Sequence, residues 1–286
     1  MKTITLPDDL NLNTSISIYD YESTKKIYKE HIILSKNTFS FVQEGKKEVV
    51  SENSSFAIDN SQFLLMKSGY FFMTEKFSNN ANNYRSILFF FSSQAVLKFI
   101  RKFKLNSKGS KLYSVYSFNY DSFIKGFVDS LLAISKLVTS IQKKILEVKF
   151  EEIMLYLVEF KGINFLYSLI NNSNNRSQRF IETMQRNQLN KLTIKELSFI
   201  TNMSVSTFKR EFEKHFKSSP NKWFLEKRLK HAAFLLKNKS KRPSDIYKEI
   251  GYTNLSSFSN AFRSNSESRQ KSTSKIGLLS ILFELN

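Results

Sequence analysis

The chain has no cysteine, and only three prolines, seven glycines and three histidines among its 286 residues. Without cysteine there is neither a disulfide framework nor a thiolate metal site. The glycines are scattered, and neither a Gly-rich phosphate loop nor a Gly-x-Ser-x-Gly nucleophile elbow occurs. His31, His215 and His231 lie far apart, whereas a metal-bearing barrel would cluster histidines with carboxylates on neighbouring strands. Long apolar runs are also missing. "SILFFFS" (Ser86–Ser92) is short, and "FLLMKSGYFFM" (Phe63–Met73) is broken by Lys67 and Gly69, so no membrane span is expected. The N-terminus "MKTITLPDDLNLN" places acidic residues where a signal peptide carries its apolar region. These absences predict a non-enzymatic cytoplasmic protein with no metal, no cofactor and no membrane association.

Negative charge is scarce as well. Lys and Arg number 44 against 25 Asp and Glu, a net charge of +19 with a pI near 9.8. The excess is uneven: residues 176–286 hold 22 basic against 9 acidic side chains, a net of +13. Positive charge concentrated in this way favours a polyanionic partner, because neutralised phosphates release condensed counterions.

What is present divides into two textures. From Ile27 to Phe91, short β-rich runs alternate around Phe39 and Phe41, with turn signals at "EGKK", Asp59-Asn60 and Ser68-Gly69. About six such strands predict an antiparallel sandwich or small barrel. The phenylalanines at alternating positions (Phe39, Phe41, Phe56, Phe63, Phe71, Phe89, Phe91) are expected either to fill its interior or to line an apolar pocket. From Gln94 the period becomes helical, through "SSQAVLKFIRKFK", "DSFIKGFVDSLLAISKLV" and "TSIQKKILEVKFEEIMLYLVEFK". The stripe Ile141, Ile145, Val148, Ile153, Tyr156 and Leu157 predicts a packed core face or, alternatively, a dimerisation face. "NNSNNRSQ" (Asn171–Gln178) lacks any large apolar residue and is the predicted linker.

Beyond it the sequence repeats itself. "TIKELSFITNMSVSTFKREFEKHF" (Thr193–Phe216) places Leu197 six residues before Met203, with Phe208 and Phe212 following at i, i+4. "RPSDIYKEIGYTNLSSFSNAF" (Arg242–Phe262) repeats this with Ile246, Tyr252, Phe258 and Phe262. The turn residues are Asn202 and Gly251, the two types that best tolerate a left-handed backbone. Each copy reads as a helix-turn-helix, whose second helix enters a DNA major groove by its N-terminal end. Between them "SSPNKWFLEKRLKHAAFLLKN" (Ser218–Asn238) predicts a connecting helix of roughly 27 Å at 1.5 Å per residue. That length sets two recognition helices about one DNA turn (~34 Å) apart.

These residues resemble the AraC/XylS transcriptional regulators. "MSVSTFKREFEKHFKSSPNKWFLEKRLKHAAFLL" is similar to the family's first helix-turn-helix with its linker helix, and "DIYKEIGYTNLSSFSNAFR" to its second. The N-terminal half, notably "FSFVQEGKKEVV", resembles the subgroup that controls secretion and virulence genes. The resemblance implies an α+β architecture. A cupin-like sensing and dimerisation domain would span 1–170 (β-rich over 1–92, helical over 93–170). A linker at 171–178 and a double helix-turn-helix domain over 179–263 would follow. It implies a sequence-specific transcriptional activator that binds double-stranded DNA and works with RNA polymerase. A homodimer, a small-molecule effector and a protein effector all remain open, and a basic RNA-binding or architectural protein is the competing reading outside the family. By the family's pattern, Ser206, Lys209 and Arg210 fall on base-reading positions, beside Ser204 and Thr207 on the exposed face. Lys214, Lys217 and Lys222 fit phosphate contacts that set register, and Lys222 and Lys227 could equally be ordinary surface charges. In the second copy Ser256, Ser259 and Asn260 read bases and Arg263 faces phosphate.

After Arg263 the family's Phe-Gly-x-Ser/Thr-Pro turn and final Tyr-led helix are absent, and "SNSESRQKST" stands there. "NSESRQKST" (Asn265–Thr273) can be encoded so that a shifted frame reads Phe-Gly-Ile-Ser-Pro-Lys-Glu-Tyr, which restores the pattern. Residues 264–286 therefore read as a frameshifted tail, and weakened DNA binding is the expected consequence.

Overall fold

The computed structural model describes residues 3–52, 54–77, 82–106, 115–170, 176–238 and 241–263. The predicted tail at 264–286 lies outside the described residues. The chain is α+β and divides into two compact units. The first takes Met1–Thr183 with Phe199–Asn202, and the second takes Met184–Ser198 with the residues from Met203 onward.

Among the described residues, ten strands build the first unit: β1 Thr3–Leu6, β2 Ile16–Ser23, β3 Ile27–Leu34, β4 Asn37–Glu44, β5 Lys46–Ser51, β6 Ser55–Asp59, β7 Gln62–Met66, β8 Gly69–Lys76, β9 Tyr84–Phe91 and β10 Val115–Asn119. They form two five-stranded sheets, ordered β1-β3-β8-β5-β6 and β10-β7-β4-β9-β2. Every pairing is antiparallel except β1 with β3. Three strands lie outside the predicted β-region at 27–91. β1 and β2 precede it, and β10 follows the first helix, where period-2 alternation is too short to stand out.

The second sheet is covered on both faces, which explains why β9 reads as a continuous apolar run. On one face Leu88 and Phe90 meet the opposing sheet. On the other, Ile87, Phe89 and Phe91 meet helices α1 Ser93–Lys102, α2 Ser122–Ser135, α3 Thr139–Lys161 and α4 Asn164–Ile170. Phe39, Phe41 and Phe63 also point to the helices. Most of the phenylalanines expected to fill or line a barrel therefore form the sheet–helix core instead; Phe56 and Phe71 belong to the inter-sheet cluster. Ser92 and Asp121 cap α1 and α2, accepting the backbone N–H of Ala95 and Ile124 at 3.2 and 2.8 Å.

The predicted stripe on α3 is split by the structure. Ile153 and Leu157 are buried with Leu146 and Phe150, a line at i, i+4, i+7 and i+11. Ile141 and Val148 lie on the other side, 54% and 64% exposed. A helix wound at 3.6 residues per turn cannot keep both sets on one face.

The predicted linker at 171–178 falls mostly outside the described residues. Residues 171–175 lie outside the described residues, and Arg176 already begins helix α5, Arg176–Arg186. The two units part within this helix, between Thr183 and Met184. The reason is local: Glu52, in the β5–β6 turn, accepts from Arg179 Nη2 at 2.6 Å and from Thr183 Oγ1 at 3.0 Å. The first turns of α5 are thereby held to the sheets.

The second unit is all-helical, with the body of α6 Ile194–Ile200 (its last two residues are counted with the first unit), α7 Val205–Phe216, α8 Pro220–Asn238, α9 Pro243–Ile250 and α10 over 255–263. Pro220 and Pro243 each start a helix, where the missing N–H costs nothing. Phe208 and Phe212 pack with Phe216, Trp223 and Phe224 in an aromatic cluster between α7 and α8. Leu229, Ala232 and Leu235 of α8 bury Ile246, Ile250 and Phe258 in the same way. One helix thus serves as the spine for both repeats.

Candidate nucleic-acid interface

The two helical pairs use the same local devices. In the first, Asn202 takes the left-handed conformation at φ 53°, and Met203 N–H returns to the Ser198 carbonyl at 2.9 Å. In the second, Gly251 takes φ 100°, and Tyr252 N–H returns to the Tyr247 carbonyl at 2.9 Å. Each following helix is capped by the side chain three residues before its third N–H. Ser204 Oγ accepts from Thr207 N–H at 3.1 Å, and Asn254 Oδ1 accepts from Ser257 N–H at 2.8 Å. The caps fix the register between the repeats: Ser206 matches Ser256, Lys209 matches Ser259, Arg210 matches Asn260, and Glu213 matches Arg263.

Burial orients both helices. Phe208 and Phe212 face inward on α7, as Phe258 and Phe262 do on α10. Ser206, Lys209, Arg210 and Lys214 are exposed, and so are Ser256, Asn260 and Arg263; Thr207 and Ser259 are half-buried. The expected base-reading residues of each repeat therefore lie on the outer face of their helix. The two faces differ in chemistry. The first presents a cation pair, of which the Arg guanidinium can fork onto a guanine edge, and the second presents a hydroxyl and an amide.

Ser204 is exposed, but its hydroxyl is already engaged with Thr207 N–H, Ser206 Oγ (2.9 Å) and Thr207 Oγ1 (2.9 Å). It shapes the helix start. Lys214 lies 4.0 Å from Glu211 on its own helix and keeps most of its surface in water. Lys217 closes α7 in the left-handed conformation at φ 51°. Lys222 is exposed near the start of α8, whereas Lys227 stacks 5.0 Å above the Trp223 ring, which makes it a packing residue of that face. Two contributors escaped the sequence reading. Asn254 is the second cap, signalled only by Asn three residues before Ser257. Arg228 of α8 reaches under the second turn, its Nη1 3.0 Å from where a Gly251 Cβ would stand. Burial raises the Tyr252 phenol above its ordinary value there, with the Arg228 charge opposing.

Both halves of the chain are similar to known domains. Residues 37–169 match the ExsA N-terminal regulatory domain, and residues 197–268 match a helix-turn-helix domain. The HTH-type transcriptional regulator ExsA of Pseudomonas aeruginosa is 24% identical over 226 residues, covering 77% of this chain and 79% of its own. The virulence regulon transcriptional activator VirF of Yersinia enterocolitica is 29% identical over 118 residues, covering 41% of this chain and 44% of its own. The solved structure of ToxT from Vibrio cholerae superposes with a TM-score of 0.40 at 14% identity, over 88% of this chain and 95% of that one.

Proposed function

As a member of the AraC/XylS family of transcriptional regulators, this chain is, we propose, a sequence-specific DNA-binding protein that activates transcription at bacterial promoters. The observation that carries this reading is the paired outer face: two recognition helices capped at the same position, each with its phenylalanines inward and its polar residues outward, on one connecting helix. Ser206, Lys209 and Arg210 read bases in one major-groove segment, and Ser256, Ser259 and Asn260 read bases in the next. Lys214 and Arg263 hold phosphates and set register. The family works on DNA and not as enzymes. Activation is supported by the Yersinia relative, which is named as an activator, and makes RNA polymerase the second partner. Such a role places the protein in the cytoplasm; among the described residues no helix is long and apolar enough to cross a membrane.

The β-rich and helical segment over residues 1–170, within the first unit, takes the sensing and dimerisation role, and the helix-turn-helix repeats take the DNA-reading role. Dimerisation is supported by an exposed side of α3. Ile141, Val148 and Leu155 are 54%, 64% and 43% exposed at seven-residue spacing, the seam that a second helix buries. Sedimentation of the full chain should show a dimer, and Val148→Asp should shift it to monomer; a wild-type monomer at micromolar concentration would refute this part.

Selection from random duplex DNA with the full chain tests the main reading. The expected product is a bipartite site whose halves lie about one helical turn apart. Lys214→Ala should weaken binding to all selected sequences alike and lower the salt slope by about one. Selection without enrichment of any sequence would overturn the proposal.

A further inference from the structure

The first unit encloses a cavity of about 170 Å³ between its two sheets, with β1 and the short turn that follows it forming one side. Its walls are mostly aliphatic, among them Leu6, Ile32, Leu34, Met66, Met73 and Leu88. No phenylalanine is among its lining residues, although Phe71 and Phe90 pack with several of them in the inter-sheet cluster. A dry aliphatic cavity of about 150 Å³ is large enough to hold benzene.

The polar groups at this cavity do not balance. Its polar lining is Lys47, Glu75, Glu30, Tyr21, Tyr19 and Thr38, of which Lys47, Glu75 and Glu30 carry charge. Lys47 and Glu75 are both buried and form an ion pair, with Nζ 3.1 Å from Glu75 Oε1. Glu75 Oε2 is buried and accepts no hydrogen bond among the described residues. Glu30 is half-buried beside it, and burial, reinforced by the Glu75 charge, holds its carboxyl above the ordinary range. Burial, the same charge and a side-chain hydrogen bond to Glu75 push the Tyr21 phenol strongly upward, so it stays a neutral donor. Two carboxylates against one ammonium leave a deficit of one positive charge in a low-dielectric space. A buried carboxylate oxygen left without a partner costs free energy that a bound donor recovers.

We propose that this cavity binds a small primary amine with an apolar body of about benzene size, its ammonium seated on Glu75 Oε2 and Glu30 and its body against the aliphatic walls. The amine supplies both the missing charge and the missing hydrogen bonds, while an anionic amphiphile of the same size would face two carboxylates. The site deepens the sensing role given to this unit and rests on that reading for its purpose, but its occupancy is measured without DNA.

Calorimetry and thermal melting of the full chain with benzylamine, toluene and benzoate test the assignment. Benzylamine should bind and raise the melting temperature, with toluene and benzoate at least tenfold weaker. Glu75→Gln should lower benzylamine affinity at least tenfold. Because that variant strips Lys47 of its partner, Glu30→Gln provides a second reading with the same expected direction. Leu88→Phe fills the cavity and should abolish binding of all three probes while the chain still melts cooperatively. Benzoate or toluene binding as tightly as benzylamine would overturn the proposal, and so would no binding by any of the three. Gel shifts on the same samples separate the two readings: amine binding without any DNA binding refutes the regulator and leaves the cavity's assignment standing.

Discussion

Gly251 is the point where backbone conformation, packing and the orientation of a recognition helix meet, and replacing it by alanine has a calculable outcome. Its φ of 100° lies beyond the ordinary left-handed well, which for residues with a side chain is centred near +50 to +70°. Holding a non-glycine residue in such a sparsely populated region costs about 1–3 kcal/mol. A second cost is specific to this place. An added Cβ would lie 3.0 Å from Arg228 Nη1 and 3.9 Å from Arg228 Cζ, so the guanidinium must retreat by a few tenths of an ångström. Arg228 Nε is itself buried, which limits where the side chain can go. Gly251→Ala should therefore destabilise the second unit by about 2–3 kcal/mol, roughly 30- to 150-fold in its folding equilibrium. Trp223 is the sole tryptophan and packs among Phe212, Phe216 and Phe224, so its fluorescence in a urea titration reports this unit. Asn202 at φ 53° is the internal control, because asparagine visits that well readily and Asn202→Gly should change little. Gly251→Asn should remain destabilised, since the Arg228 contact follows from any Cβ. Adding Arg228→Ala to Gly251→Ala should recover the contact's share but not the backbone's. Wild-type stability of Gly251→Ala would refute the reasoning outright. Full recovery with Arg228→Ala would show that the backbone carries no strain.

Other outcomes follow from the same geometry. Arg210→Ala should cost about 1–3 kcal/mol of DNA binding and relax specificity at one base position, measured by anisotropy against single-base variants of a selected site. Asn260→Ala, at the matching position of the second repeat, should cost less than Arg210→Ala, and equal losses would contradict the asymmetry of the two faces. Lys47→Met leaves Glu75 buried without its counter-charge and should destabilise the first unit by about 3–5 kcal/mol in urea titrations, whereas a loss below about 1 kcal/mol would show the pair to be dispensable. Lys67 is held down to about 8 by burial, reinforced by the Arg179 charge and opposed by Glu52. A lysine whose value is lowered on folding binds its proton more weakly in the native state, so its penalty is fully present below about pH 8 and fades as pH rises toward the ordinary lysine value. Stability of the first unit should accordingly rise from pH 7.5 to 9.5, and Lys67→Met should flatten that rise.

The helical repeat was legible in the sequence because its signals are local. Apolar residues at i, i+4 and a left-handed turn residue act within a few residues, so Asn202 and Gly251 announce the two turns before any tertiary contact is known, whereas the Asn254 cap went unread. Period and composition likewise place the strands of 27–91 and the helices after Gln94. Long-range partners decided the rest. Whether Phe39, Phe41 and Phe63 face another sheet or a helix layer depends on which surface is covered, and alternation alone is the same in either case. The α3 stripe looked single because it was read as a list of apolar residues; only the packing of α3 on the sheet separates Ile153 and Leu157 from Ile141 and Val148. That Glu52, more than a hundred residues away, holds Arg179 and Thr183 of α5 has no local signal. The charge imbalance at Lys47, Glu75 and Glu30 has no sequence signature either, since three strands must pair before those side chains share one cavity. The sequence by itself determined two DNA-reading repeats and a β-rich partner, because those depend on local conformation. The tertiary structure decided which surfaces are core, which are left open and where the cavity lies, because burial is a property of the folded chain and not of any segment.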